Sequence, residues 1–384
     1  MEIHPNAFAT ELNKMIPAKI GHRYCIINRK TFLLLNVPPP YVTSSSILFT
    51  PTTLETMLMC GKVTHKNLID SNLLFRKISR NLLSKMIQYN SKKIFFEEEP
   101  SLNQTQYNFS TSKTLVNILV YFLLFLAGDL FSSIPFDLLF SFVELPSNAL
   151  YVILRMLGAL LLTVFLFWLY TTKGLHLKMK DFGITPNIKK WGVLISVFLP
   201  VFVTAIFAMI GKFEVNSFSA GEICLIIIAS MLIALKSGIT EEMLFRGYIM
   251  KLLESRWNKY IAILIPSFLF SLVHIPSMET FTVSGVLLLI ISGTVVGIMF
   301  SLVSYKGKSI SNSALLHAAW NFIMITDILH ITTAQGTYGS PIFSIIISSD
   351  NVFLTGAGFG IEASIIAIIG YILVCGFVLI PKKK

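Results

Sequence analysis

Charge is what this chain has little of. Asp, Glu, Lys and Arg make up 13% of its 384 residues, about half the share a soluble domain carries. That leaves too little polar surface to cover a globule of this size, so the class is membrane protein. The 54% hydrophobic content and the mean hydropathy of +0.72 say the same. Cysteine is also scarce: Cys25, Cys60, Cys224 and Cys375 are scattered, with no CxxC spacing. This excludes a disulfide framework and a zinc-finger pattern. Residues 1–30 hold no continuous apolar core, so no signal peptide is expected there and the first span would serve for insertion. No internal repeat is visible, which argues against an inverted-repeat transporter. The formal charge of +11 reads as Lys and Arg flanking membrane spans beside anionic lipid, with no nucleic-acid partner.

Residues 1–113 mix short apolar runs with Pro38–Pro40 and Ser44–Ser46 and sustain no period. They read as a poorly ordered or peripheral basic extension. A basic amphipathic helix over 73–96, with Leu73, Leu74, Ile78, Leu82, Leu83 and Met86 on one side, would suit a membrane surface. Translation from Met86 is a further reading. From Thr114 onward, apolar runs of about 20 residues, each able to cross ~30 Å of hydrocarbon, recur near 114–136, 147–170, 191–211, 222–250, 260–280, 284–305, 310–330 and 361–380. The expected fold is all-α, a bundle of about eight transmembrane helices over 114–384, because runs this long are too long for barrel strands. Basic loops alternate with non-basic ones: Lys173 to Lys190, then Lys251 to Lys259, then Lys306 and Lys308, then Lys382–Lys384. The positive-inside rule then puts both termini in the cytoplasm, with the cell membrane as the expected location.

An ionisable group at bilayer depth is costly unless paired or hydrated, and marks a functional candidate. Three short motifs qualify. In the fourth apolar run, Glu241-Glu242-Met243-Leu244-Phe245-Arg246 places Glu242 and Arg246 four apart, on one helix face, where they can pair. Glu241 lies about 100° round the helix and is left without that partner. An unpaired carboxylate in a low dielectric suits a general base; a solvated helix end with all three side chains among headgroups fits the pattern equally. In the fifth run, Phe270 and His274 are four apart, and Ile275-Pro276 bends or ends the helix. A lone His on such a face is also an ordinary interior residue. In the seventh, His317 and Asn321 share a face. They could hold an oxyanion, or simply hydrogen-bond between helices, with Ala318 and Ala319 allowing close approach.

The order and helix placement of the three motifs carry more than each alone. EExxxR, FxxxH and HxxxN, here E-E-M-L-F-R, F-S-L-V-H and H-A-A-W-N within 241–321, resemble the CAAX prenyl protease and bacteriocin-processing family of intramembrane proteases, also called the ABI family. The family domain would cover about 191–330. The resemblance implies an endopeptidase acting on membrane-associated peptides or proteins, either prenylated CAAX tails or, in the prokaryotic branch favoured by the short loops, substrates of bacteriocin processing and self-immunity. It implies Glu241 as general base on water, His274 as its helper, His317 and Asn321 as oxyanion stabilisers, and Glu242 and Arg246 as supports. No cofactor is expected. Glu241, His274 and His317 also make a two-His, one-Glu ligand set for zinc with an open fourth position, although HExxH is absent. A non-catalytic scaffold or regulator on the same fold is the alternative, and a transporter with a proton-relay carboxylate is a weaker third.

Simple alternation of the helices puts Glu241 and His317 toward the cytoplasmic half and His274 beyond the midplane. A common site therefore needs a long fourth helix with Glu241 near its middle, or displacement of His274 by Pro266 and Pro276. Elsewhere, Asp129 and Arg155 either pair or face the interior separately, and Lys236 snorkels or else acts on a nearby carboxylate.

Overall fold

The computed structural model describes residues 109–142, 148–333 and 339–380. The expectations for residues 1–108, including a helix over 73–96, lie outside the described residues, as does Lys382–Lys384.

The chain is an all-α polytopic membrane protein. Its elements, in order, are α1 (Thr111–Phe142), α2 (Asn148–Leu169), α3 (Lys190–Ile210), β1 (Lys212–Val215), α4 (Ala220–Glu242), α5 (Met250–Arg256), α6 (Lys259–Val273), α7 (Val283–Gly307), α8 (Ser311–Met324), β2 (Leu329–Thr332), β3 (Phe343–Ile346), α9 (Val352–Thr355) and α10 (Ile365–Leu379). Among the described residues, six helical spans are long and apolar enough to cross a membrane. All eight predicted apolar runs are helical, but the last two are short. α8 has 14 residues and α10 has 15. The apolar run at 310–330 overshoots because Leu329, His330 and Ile331 belong to β2. The run at 361–380 starts in a 3-10 turn, Ile361–Ala363, and turns α-helical only after Ser364 caps Ala367.

The small sheet, in order β1-β3-β2, is a departure from a purely helical expectation. β1 runs antiparallel to β3, with Lys212 opposite Ile346, and β2 runs parallel to it, with Leu329 opposite Phe343. Four-residue strands are too short to print a period-2 signal against an apolar background.

The long fourth span sets the site. Ser219 caps α4 and Glu222 reaches back to the Ser219 amide, a reciprocal capping box. The helix then runs through a π-helical stretch, Met243–Ile249, into α5, so that the span reaches from Ala220 to Arg256. Trp257 and Asn258 form the turn, and Asn258 caps α6 through the Ile261 amide at 3.0 Å. The chain returns antiparallel. Glu241 lies sixteen residues before Trp257 and His274 sixteen after Asn258, so the two arms bring them to the same height. This is the long-helix solution to the depth mismatch.

Small residues let the neighbouring helices close in. On α7, an added Cβ at Gly297 would lie 2.7 Å from the Ser267 Cα of α6. At Gly238 of α4 it would lie 2.8 Å from the Ala318 nitrogen and 2.9 Å from the Ala314 carbonyl oxygen of α8. Small-residue seams of this kind are how helices associate without a hydrophobic driving force between them. Polar pairs add to them. Lys236 does not snorkel: its Nζ meets Asp129 of α1 at 2.7 Å. Asp129 therefore pairs with Lys236 and not with Arg155, whose guanidinium faces Tyr151 instead.

Candidate active site

Glu242 and Arg246 form the buried centre, both fully inaccessible. Arg246 Nη1 donates to Glu242 Oε1 at 2.7 Å, and Nη2 donates to the Gly297 carbonyl at 3.0 Å. The guanidinium lies 4.8 Å from the Phe270 ring centre and 5.0 Å from that of Phe300. Charge pairing, a backbone acceptor and aromatic faces together offset the desolvation that a lone buried ion would suffer. The solvated-helix-end reading of this motif therefore does not hold. π-helical turns recur where a side chain must be re-aimed, and here the π stretch carries Arg246 itself.

Glu242 has a second task. His317 Nδ1 lies 3.2 Å from the same Oε1. A carboxylate can only accept, so Nδ1 carries the hydrogen and Nε2 is turned away from Glu242. His274 is held the same way: its Nδ1 is 2.7 Å from the Phe270 carbonyl oxygen, which also can only accept. Phe270 thus orients His274 by its backbone and backs Arg246 with its ring. The His317 ring stacks on Phe300 at 4.7 Å.

With both Nδ1 atoms committed, both Nε2 atoms point at one place. His274 Nε2 is 4.0 Å and His317 Nε2 is 3.9 Å from Glu241 Oε2. That oxygen is buried and makes no hydrogen bond. The three motifs therefore converge around one bare carboxylate oxygen. Asn321 stands apart from this trio. Its Nδ2 donates to Ser237 Oγ at 2.7 Å, the interhelical bond that α8 and α4 would make in any case, and it keeps a second N–H.

A tetrahedral zinc site holds its ligand atoms about 3.3 Å from one another. The 3.9 and 4.0 Å separations are wider, and among the described residues no group of three or more His, Cys, Asp or Glu is arranged to hold a metal ion. As they stand, the three donors do not fit zinc.

The motifs gave no hint of Glu362. It is partly buried in the 3-10 turn ahead of α10. Trp320, His317 and Glu241 are the groups whose electrostatics act on its carboxyl. This turn lies outside the spanning helices. Burial pushes the Glu362 carboxyl up to about 7, with His317 and Trp320 pulling it down and Glu241 adding to the push. The one signal in the sequence was an acid at the very start of the last apolar run. Phe359, from the same loop, sets its ring 6.2 Å from that of His274.

Residues 223–323 match the family model described as Rce1-like, type II CAAX prenyl endopeptidase. The match spans all three motifs, and the chain carries an Rce1-like domain over this segment, as the motif resemblance implied. Neither a curated protein nor a solved structure matches the chain. The spans support an integral membrane protein, and the likeness to the CAAX-protease model is confined to residues 223–323.

Proposed function

We propose that this protein is an intramembrane endopeptidase that uses Glu241 and His274 to activate water without a metal. The observation that carries the reading is the pair of imidazole Nε2 atoms turned toward the bare Oε2 of Glu241, at 3.9 and 4.0 Å. A water on Oε2 would donate one hydrogen to Glu241 and the other to the His274 Nε2 lone pair, which leaves its own lone pair free to attack a peptide carbonyl carbon. As the C–O bond forms, the water proton passes to Glu241. When the C–N bond breaks, that proton goes to the leaving amine, giving a carboxylic acid and an amine product. The oxyanion faces α8. His317 can donate to it from Nε2 only as the doubly protonated ring, because Nδ1–H is already given to Glu242. Asn321 offers its remaining N–H.

The substrate is a membrane-associated peptide or protein. A prenylated C-terminal tail is the first class to try, since the family match names it; a bacteriocin-type precursor is the second. The basic loops support cytoplasmic termini, and the cell membrane is the location to test first.

The test is cleavage of such peptides by purified protein in liposomes, with Glu241→Gln and His274→Ala. General-base chemistry contributes roughly 10²–10⁴-fold, so losses of that order are expected for both. Full cleavage by both variants would overturn the roles given to Glu241 and His274, whereas no cleavage by wild type together with full biological function in both variants would leave the non-catalytic scaffold or regulator as the function. Activity that falls with a chelator and returns with zinc would overturn the metal-free step.

A further inference from the structure

The three side chains of the trio are unequally exposed. His317 is 6% exposed at its side chain, Glu241 16% and His274 29%. The site therefore opens beside His274. Two aromatic rings flank that imidazole. Phe270, buried, lies 4.5 Å away between ring centres and forms the floor. Phe359, part-exposed, meets the imidazole edge to face, with 82° between the planes and 6.2 Å between centres. Phe359 comes from outside the three motifs and beyond the matched segment.

Phe359 does not sit on a spanning helix, where an exposed aromatic would simply face lipid. It sits in the turn Thr355-Gly356-Ala357-Gly358-Phe359-Gly360. Ala357 in this turn holds φ at +54°, in the left-handed region. A non-glycine residue stays there only where its surroundings fix it, and here they do. The Gly358 carbonyl accepts the Glu279 amide at 2.7 Å, which ties the turn to the segment just after His274. A Cβ at Gly358 would run into the Thr280 backbone, so glycine is what lets the two segments close. The Phe359 ring packs on the cluster of Leu288 from α7 with Ala363 and Ile368. The ring is thus held in place, and it still borders the opening at His274.

We propose that Phe359 is a specificity-determining residue of this site: its ring walls a pocket beside His274 that takes an apolar substrate side chain next to the scissile bond, and limits that side chain's size. The proposal rests on the peptidase reading given above. A water between Glu241 and His274 must come within about 3–3.5 Å of the carbonyl carbon it attacks. A side chain flanking that carbon then extends into the space that Phe359 borders. Aromatic walls make such a space a pocket for apolar groups.

The test gives purified protein in liposomes a series of membrane peptides with Ala, Leu, Phe or Trp at each position flanking the scissile bond. One methylene in an apolar pocket is worth about 10–200-fold in kcat/KM. Phe359→Ala enlarges the pocket, so the kcat/KM ratio of the Trp peptide to the Ala peptide should rise at least about tenfold at one flanking position. Phe359→Trp should lower the same ratio. Damage to the turn alone would slow every peptide alike. An unchanged ratio at both positions in Phe359→Ala therefore overturns the proposal, whatever the loss of rate. Melting temperatures in detergent check folding. If Phe359→Ala does not fold, Phe359→Trp decides, and a ratio no lower than wild type at either position overturns the proposal. Glu241→Gln assayed alongside separates the two readings: if it cleaves as wild type does, the water-activation reading fails. If it is inactive and the ratios are flat, only the role of Phe359 fails. A wild type that cleaves no peptide of the series overturns both.

Discussion

Replacing Gly238 by alanine would push a methyl group into backbone. The new Cβ would sit 2.8 Å from the Ala318 nitrogen, 2.9 Å from the Ala314 carbonyl oxygen and 2.9 Å from the Ala318 Cβ. None of these is the tip of a flexible side chain, so α8 must move. Relief to ordinary contact needs about 0.7 Å of separation between α4 and α8. His317 sits between Ala314 and Ala318 on the moving helix. Its 3.2 Å bond to Glu242 would lengthen toward 3.9 Å, past hydrogen-bonding range. Nε2 would then lose its fixed aim at Glu241. Misplacement of about 1 Å can cost 10²-fold in rate, and a loss of that order in kcat is expected. Stability should change less. Overpacking costs about 1–3 kcal/mol, and alanine regains about 1 kcal/mol of helix propensity over glycine. Gly376→Ala on α10 is the control, since nothing lies within 4 Å of its added Cβ. Peptide cleavage in liposomes and thermal unfolding in detergent read the two effects separately. Wild-type kcat in Gly238→Ala would refute the idea that this seam sets the position of His317.

Three further outcomes follow from the same geometry. Arg246→Ala leaves Glu242 buried without its cation and should destabilise by about 3–5 kcal/mol. Arg246→Lys should rescue little of this, because one ammonium cannot reproduce the planar contacts to Glu242, Gly297 and two aromatic faces; unfolding in detergent measures both. Lys236→Met leaves Asp129, in the α1 span, without its cation; a stability loss of about 2–3 kcal/mol and unchanged kcat are expected. The Glu362 carboxyl, raised from 4.5 to about 7 on folding, binds its proton more tightly in the folded protein. Its contribution to stability is complete below pH 4.5 and is lost as pH rises through about 7. Melting temperatures at pH 5 and pH 8 should differ less in Glu362→Gln than in wild type.

Much of the fold was legible because lipid imposes length and hydrophobicity on every span, and both can be counted along the chain. Helix ends were less legible. The apolar runs around Leu329 and Ile361 continue past the helices, since a buried strand or turn looks as apolar as a span. The convergence of Glu241, His274 and His317 was expected from the motif order, and its cause was partly visible as a need for a long fourth helix. The aim of each imidazole was not visible, because it depends on which atoms Glu242 and the Phe270 carbonyl present. Lys236 and Asp129 are more than a hundred residues apart, and no local pattern links them. Glu362 lies outside every motif, and only the fold brings its turn toward Trp320 and His317.

The hairpin at Trp257 and Asn258 works as a vernier. Two arms of matched count slide past one another, and only one setting brings base and helper into line. A single insertion or deletion anywhere between Glu241 and His274 turns one of them by about 100° and shifts it about 1.5 Å. Yet matched changes of whole turns in both arms would restore the alignment at a new depth. Paired lengthening of the two arms keeps base and helper aligned with each other, while His317, on α8, still fixes where Glu242 must sit.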